Sequence, residues 1–111
     1  MAAHDDDERK TTRDEFRRAV NMTPKQMDEW LDTERSKEVG WGEGETVGHK
    51  AGRRIVEIKH KKQDDLTDDD YAHMKKVIGY VHRHMAQQPS GDITDTRWRY
   101  SLMNWGHDPK E

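Results

Sequence analysis

Between Thr67 and Gln87, six apolar residues (Tyr71, Met74, Val77, Ile78, Val81 and Met85) fall within an arc of roughly 120° when each residue is turned by about 100°. That period belongs to an α-helix with one buried side, and a buried side needs other elements to cover it. Thr67 caps the start, and Asp68, Asp69 and Asp70 bring carboxylates to the positive end of the helix dipole. The cover has to come from little material. Only 30% of the residues are hydrophobic, a share that stays low with the eight glycines added, and 39% are charged, against usual shares of about 45–50% counting glycine and about 25%. The core must therefore rest on a few large side chains: four Trp, three Tyr, one Phe and six Met.

The remaining helices read from their caps and stripes. Thr12 and Glu15 form a capping-box pair, with Phe16, Ala19 and Val20 on the buried side of a first helix. Asn21 and Met22 interrupt it. Thr23-Pro24-Lys25-Gln26 then opens a second helix with cap, first-turn proline and box together, and Met27, Trp30 and Leu31 share one face. Ser36 to Val39 adds a short turn, and the glycine-rich stretch Gly40 to Gly44 makes a loop between the second and third helices, pinned by Trp41 and Val47. A third helix covers residues 48–62, with Ala51, Ile55 and Ile58 inward. A last one, from about Asp95 to Trp105, aligns Trp98, Leu102 and Trp105 and stops at Gly106. The expected fold is all-α: four to five helices in one small domain over residues 12–109, with a long central fourth helix. A disordered acidic tail, residues 1–11, precedes it. Trp30, Trp41, Trp98 and Trp105 are the expected anchors. So small a core also fits a homodimer that shares core residues.

Several chemistries are argued against. With no cysteine, disulfides, thiolate zinc and thiol nucleophiles are absent. The start, Met1 to Lys10, is acidic without an apolar stretch, and no run approaches the roughly 18 apolar residues of a membrane span, so no membrane association and a cytoplasmic location are expected. Gly40-Trp41-Gly42-Glu43-Gly44-Glu45 has the wrong spacing to Lys50 for a phosphate loop and would set Glu43 and Glu45 against phosphate. The aspartates from Asp64 to Asp70 lack the ligand order and turn glycine of a calcium loop. No two of the seven histidines stand three or four residues apart, and His73 and His84 lie about 16 Å apart along one helix. Ser36, Ser90 and Ser101 sit in no nucleophile pattern. The expectation is a non-enzyme with no catalytic residue, metal or cofactor. A helix-turn-helix at Asn21-Met22-Thr23 fails because its reading helix would carry Asp28, Glu29 and Asp32.

Charge is distributed unevenly. The net charge is −3 overall, yet residues 48–62 carry six basic groups and one acid. Lys50, Arg53, Arg54, His60 and Lys61 form an arc opposite the apolar side of the third helix, a stripe suited to a phosphate backbone. Arg97-Trp98-Arg99-Tyr100 alternates cations with rings, and Tyr100, off the Trp98 stripe, is expected to stack or to face solvent. The candidate nucleic-acid contacts are Lys50, Arg53, Arg54, Lys59, Lys61 and Lys62, with Arg97 and Arg99 as lesser ones. DNA binding through them is sequence-nonspecific and salt-sensitive. The same stripe reads equally as a face neutralised by Glu57, by the aspartates at 64–70 or by the acidic tail, or as the surface of a protein-interaction or dimerisation module that meets an acidic partner. A metal-dependent helical enzyme is a distant third reading.

Arg13-Asp14-Glu15-Phe16, Met22-Thr23-Pro24-Lys25, Val47-Gly48-His49, Gly52-Arg53-Arg54-Ile55-Val56, Thr67-Asp68-Asp69-Asp70-Tyr71, Tyr80-Val81-His82-Arg83-His84 and the run from Trp98 to Pro109 together resemble the bacterial and fungal family known as domain of unknown function 3140. The resemblance covers nearly everything after residue 12, and its last motif is the most specific. It implies an association with DNA, since some members are described as DNA-binding. It carries over no substrate and no catalytic residue, and the acidic tail stands outside the pattern.

Overall fold

The computed structural model describes residues 2–39 and 46–110, with side chains from residue 6 onward. The described residues form six α-helices and no strand: α1 (Ala2–Ala19), α2 (Pro24–Leu31), α3 (Glu34–Glu38), α4 (Val47–His60), α5 (Asp68–Met85) and α6 (Arg97–Asn104), with a 3₁₀ turn at Gln63–Asp65 before α5. The all-α expectation holds. The long helix read from the apolar arc is α5, which packs against α1, α4 and α6. Short α6 sits among α2, α3, α4 and α5 and ties them together. Trp41 and the glycine-rich stretch lie outside the described residues.

Most starts follow the sequence. Thr23 and Gln26 bond reciprocally at the head of α2, and the Thr67 and Thr96 hydroxyls cap α5 and α6. The start of the first helix is corrected. Thr12 is no cap: its buried hydroxyl donates back to the Glu8 carbonyl at 2.9 Å, inside a helix that already runs from Ala2. Residues 2–11, expected as a disordered tail, are helical here, and Glu8 and Arg9 reach Lys75 and Asp68 of α5. The pattern Thr-x-x-Glu marks a helix start only where the preceding turn has no anchor. Here two ion pairs and the Arg9 guanidinium over the Tyr71 ring supply one.

Helix ends leave carbonyls without intrahelical partners, and three are closed by distant side chains. His107 Nδ1 donates to Ala19 of α1 at 2.7 Å, His49 Nε2 to Leu31 of α2 at 2.7 Å, and Trp98 Nε1 to His84 of α5 at 2.7 Å. Asn104 joins three helices, accepting from Trp30 Nε1 at 2.8 Å and from the Ser36 hydroxyl and donating to the Ser36 carbonyl at 3.0 Å. Asn21 and Asp108 exchange a reciprocal pair of bonds at 2.9 and 2.8 Å, fixing the α1–α2 turn to the C-terminal segment. Gly106 has φ +83° and lies against Val20, a place where a β-carbon would be strained and crowded. Trp30, Trp98 and Trp105 are all buried, as expected. Tyr100 is a correction: it is buried, tilted against Trp30, with its hydroxyl between Arg35 and Asp95.

Candidate nucleic-acid interface

The eight candidate cations do not form one surface. Arg54, Lys61 and Arg99 are engaged by the protein's own carboxylates. Asp70, 3% exposed, accepts from Lys61 Nζ at 2.7 Å and from Arg54 Nη2 at 3.3 Å. Burial alone would raise its carboxyl. Lys61, the Thr67 amide and Arg54 outweigh that and hold it well below the usual carboxylate range. Arg99 binds Asp108 through two parallel bonds of 3.0 Å and donates to the Thr94 carbonyl at 2.9 Å. Arg54 and Arg99 are therefore structural ties, and Lys61 is shared between Asp70 and the surface. The neutraliser of the basic helix is Asp70, one of the aspartates at 64–70, while the N-terminal helix gives its Glu8 to Lys75 of α5.

The others differ from one another. Lys50, Lys62 and Arg97 are exposed. Arg53 lies in a groove with Asp28 and Glu29 of α2, its C-cap Asp32, and Lys37, where nearby carboxylates compete with phosphate. Lys59 is half-buried, and among the described residues it makes no ion pair or hydrogen bond with an acid. Burial, and then the neighbouring Arg17, push its pKa down.

Lys59 opens onto a cleft of about 320 Å³ that the sequence did not indicate. Arg13 and Arg17 of α1 stand on one side, and Lys59 and Lys61, at the end of α4, on the other. Phe16, Ile58, Leu66 and Met74 line it below, and no carboxylate is among its lining residues. Arg13 donates to the Tyr71 hydroxyl at 2.9 Å, and Arg17 keeps only a long contact of 3.6 Å with exposed Asp14. Arg13 and Arg17 were missed because they lie in the first helix, away from the basic run. The available signal was their spacing of four residues beside Phe16 and Val20, which sets two cations along the rim of an apolar stripe.

A family model described as protein of unknown function (DUF3140) matches residues 15–103. The chain belongs to that family. No curated protein and no solved structure is matched. In this DUF3140 chain the matched segment takes in both walls of the cleft except Arg13, and it contains α2 to α6 almost entire. Among the described residues of the DUF3140 chain, no group of three His, Asp or Glu is close enough to hold a metal ion, and no helix is long and apolar enough to cross a membrane.

Proposed function

We propose that the protein is a small, non-enzymatic, cytoplasmic DNA-associated protein that holds the phosphate backbone without reading sequence. The contact surface is smaller than the basic helix and differently centred. Lys59 near the end of α4 and Lys62 just beyond it act with Arg13 and Arg17 of α1, and Lys50, about 180° round α4 from Lys59, stays outside this surface. Lys61 contributes as far as Asp70 allows, and Arg53 and Arg97 lie at the margin. Arg54 and Arg99 take no part.

One observation carries this reading: Lys59 is kept half-buried beside Arg17 with no acid supplied to it, on the same helix where Arg54 is given a buried carboxylate. Cations left uncompensated by the fold are available to a polyanion, and phosphates replace their counterions at a gain that falls with salt. The test is titration of a fluorescent duplex at several salt concentrations, with Lys59→Glu and Arg17→Glu as variants and Arg97→Glu as the marginal control. The expected result is affinity that weakens with salt and drops steeply in the first two variants only. Weak binding that ignores salt and all three substitutions rejects the reading.

A second reading, a protein-interaction or dimerisation module, draws on Asp28, Glu29 and Asp32, which bring three carboxylates to a groove also lined by Lys37 and Arg53 and can meet a basic cleft on another copy or partner. Sedimentation at low salt separates the two, since only this reading expects self-association that high salt dissolves.

A further inference from the structure

We infer that the cleft between α1 and the end of α4 is a binding site for a small amphipathic anion: a carboxylate or similar singly charged head on a compact hydrocarbon body. The rim and the floor ask for different halves of one molecule. Arg13, Arg17 and Lys59 bring positive charge to the opening from two helices that are distant in sequence. Phe16, Leu66 and Met74 give the floor nothing to hydrogen-bond with. Water fits such a floor poorly, and an inorganic anion would satisfy the rim while leaving the floor wet.

The comparison within the same helix strengthens this. Where α4 turns Arg54 inward, the fold provides Asp70 at 3.3 Å. Where it turns Lys59 inward, the cleft lining contains no carboxylate. An anion from outside would complete that second site as Asp70 completes the first. An eight-carbon carboxylate has both the charged head and the hydrocarbon body that such a lining asks for. A phosphate backbone offers charge without that body, so this ligand is distinct from the DNA proposed above. An occupied cleft would nevertheless withdraw Lys59 and Arg17 from a polyanion.

The experiment is isothermal titration calorimetry of the full chain, without DNA, using octanoate as the probe. Acetate keeps the head and lacks the body, and octyltrimethylammonium keeps the body and reverses the charge. Octanoate should bind one per chain with a Kd on the order of 1 mM or tighter, acetate at least about tenfold more weakly, and the ammonium not at all. Lys59→Met should weaken octanoate at least about fivefold, and so should Arg17→Glu, which alters an exposed side chain and leaves the fold intact. Acetate binding as well as octanoate, or octanoate binding both variants as well as the parent, overturns the inference. DNA plays no part in the readout, so the two proposals fail separately.

Discussion

Replacing Asp70 by Asn should loosen the protein and at the same time improve its grip on a polyanion. In the folded chain Oδ2 accepts from Lys61 at 2.7 Å and from the Thr67 amide at 3.0 Å, while Oδ1 accepts from Arg54 at 3.3 Å. An amide keeps one acceptor and turns an NH2 group toward a cation, so the cap or one of the cations is lost. Charge-assisted bonds are each worth about 1.5–3 kcal/mol. The Lys61 and Arg54 side chains are 37% and 41% exposed and regain water, which brings each nearer to about 1 kcal/mol. With part of the cap, the cost is about 2–3 kcal/mol, or a fall in Tm of about 10 °C for a domain of this size. Two cations released toward phosphate would steepen the slope of log affinity against log salt by about 1.8. The acid limb should also change. Because the folded carboxyl lies below its unfolded value of about 3.9, its contribution is complete above that pH and lost as pH falls through the folded pKa. The variant should therefore be flatter between about pH 4 and pH 2. Urea unfolding across pH and duplex titration across salt measure both effects. An Asp70→Asn protein as stable as the parent, with the same salt slope, would refute the claim that Asp70 neutralises this helix.

Two further outcomes test the interior. Asn104→Leu leaves the Trp30 indole, the Ser36 hydroxyl and the Ser36 carbonyl without partners in the core, so urea unfolding should show a loss of about 3 kcal/mol or more. A loss under about 1 kcal/mol would show that water replaces the side chain. His73, Trp105, Tyr80, His84 and Trp98 form a continuous run of stacked rings with centroids 4.3 to 6.4 Å apart. Burial lowers the pKa of both histidines against the opposing bonds to Ala51 and Trp98, so the unfolded chain takes up the protons first. Stability should fall as pH drops below about 6.5, and His84→Phe, which keeps the stack, should remove part of that slope; a flat profile from pH 8 to pH 5 rejects it.

What the sequence disclosed and what it hid divide along sequence distance. Thr23 and Thr67 were legible as caps because the cap and its amide lie three residues apart. The core face of α5 was legible because every residue on it obeys one period. Thr12 misled for the same reason: the local pattern was right, and ion pairs from Arg9 and Glu8 to residues 59 and 67 positions further along the chain extended α1 beyond it. Tyr100 was misplaced because α6 is covered on several sides, so its off-stripe face is buried as well. The basic run was plain in the composition of residues 48–62, but which of its members remain available depends on one buried aspartate and on an arginine pair from α1. No periodicity carries that information.

Several polar groups of the most specific family motif, from Trp98 to Pro109, are spent on closing the fold. Its Trp98, Arg99, Asn104, His107 and Asp108 all turn their polar atoms onto other helices or onto each other. They determine how six helices close on a small apolar core. Function has then to be sought in groups the fold holds at a cost to itself, and Lys59 is such a group: half-buried, facing Arg17, on the helix whose Arg54 is given a buried carboxylate. Lys59→Met keeps the stem and removes the charge, which should stabilise the protein by about 0.5–1 kcal/mol once solvent screening is allowed for. The same change should weaken both duplex and octanoate. A rise in the urea midpoint together with a loss of anion affinity is the mark of a residue retained for binding. A fall in the midpoint would show instead that the ammonium has a stabilising role in the fold, and the case for an anion site at this cleft would lose its central residue.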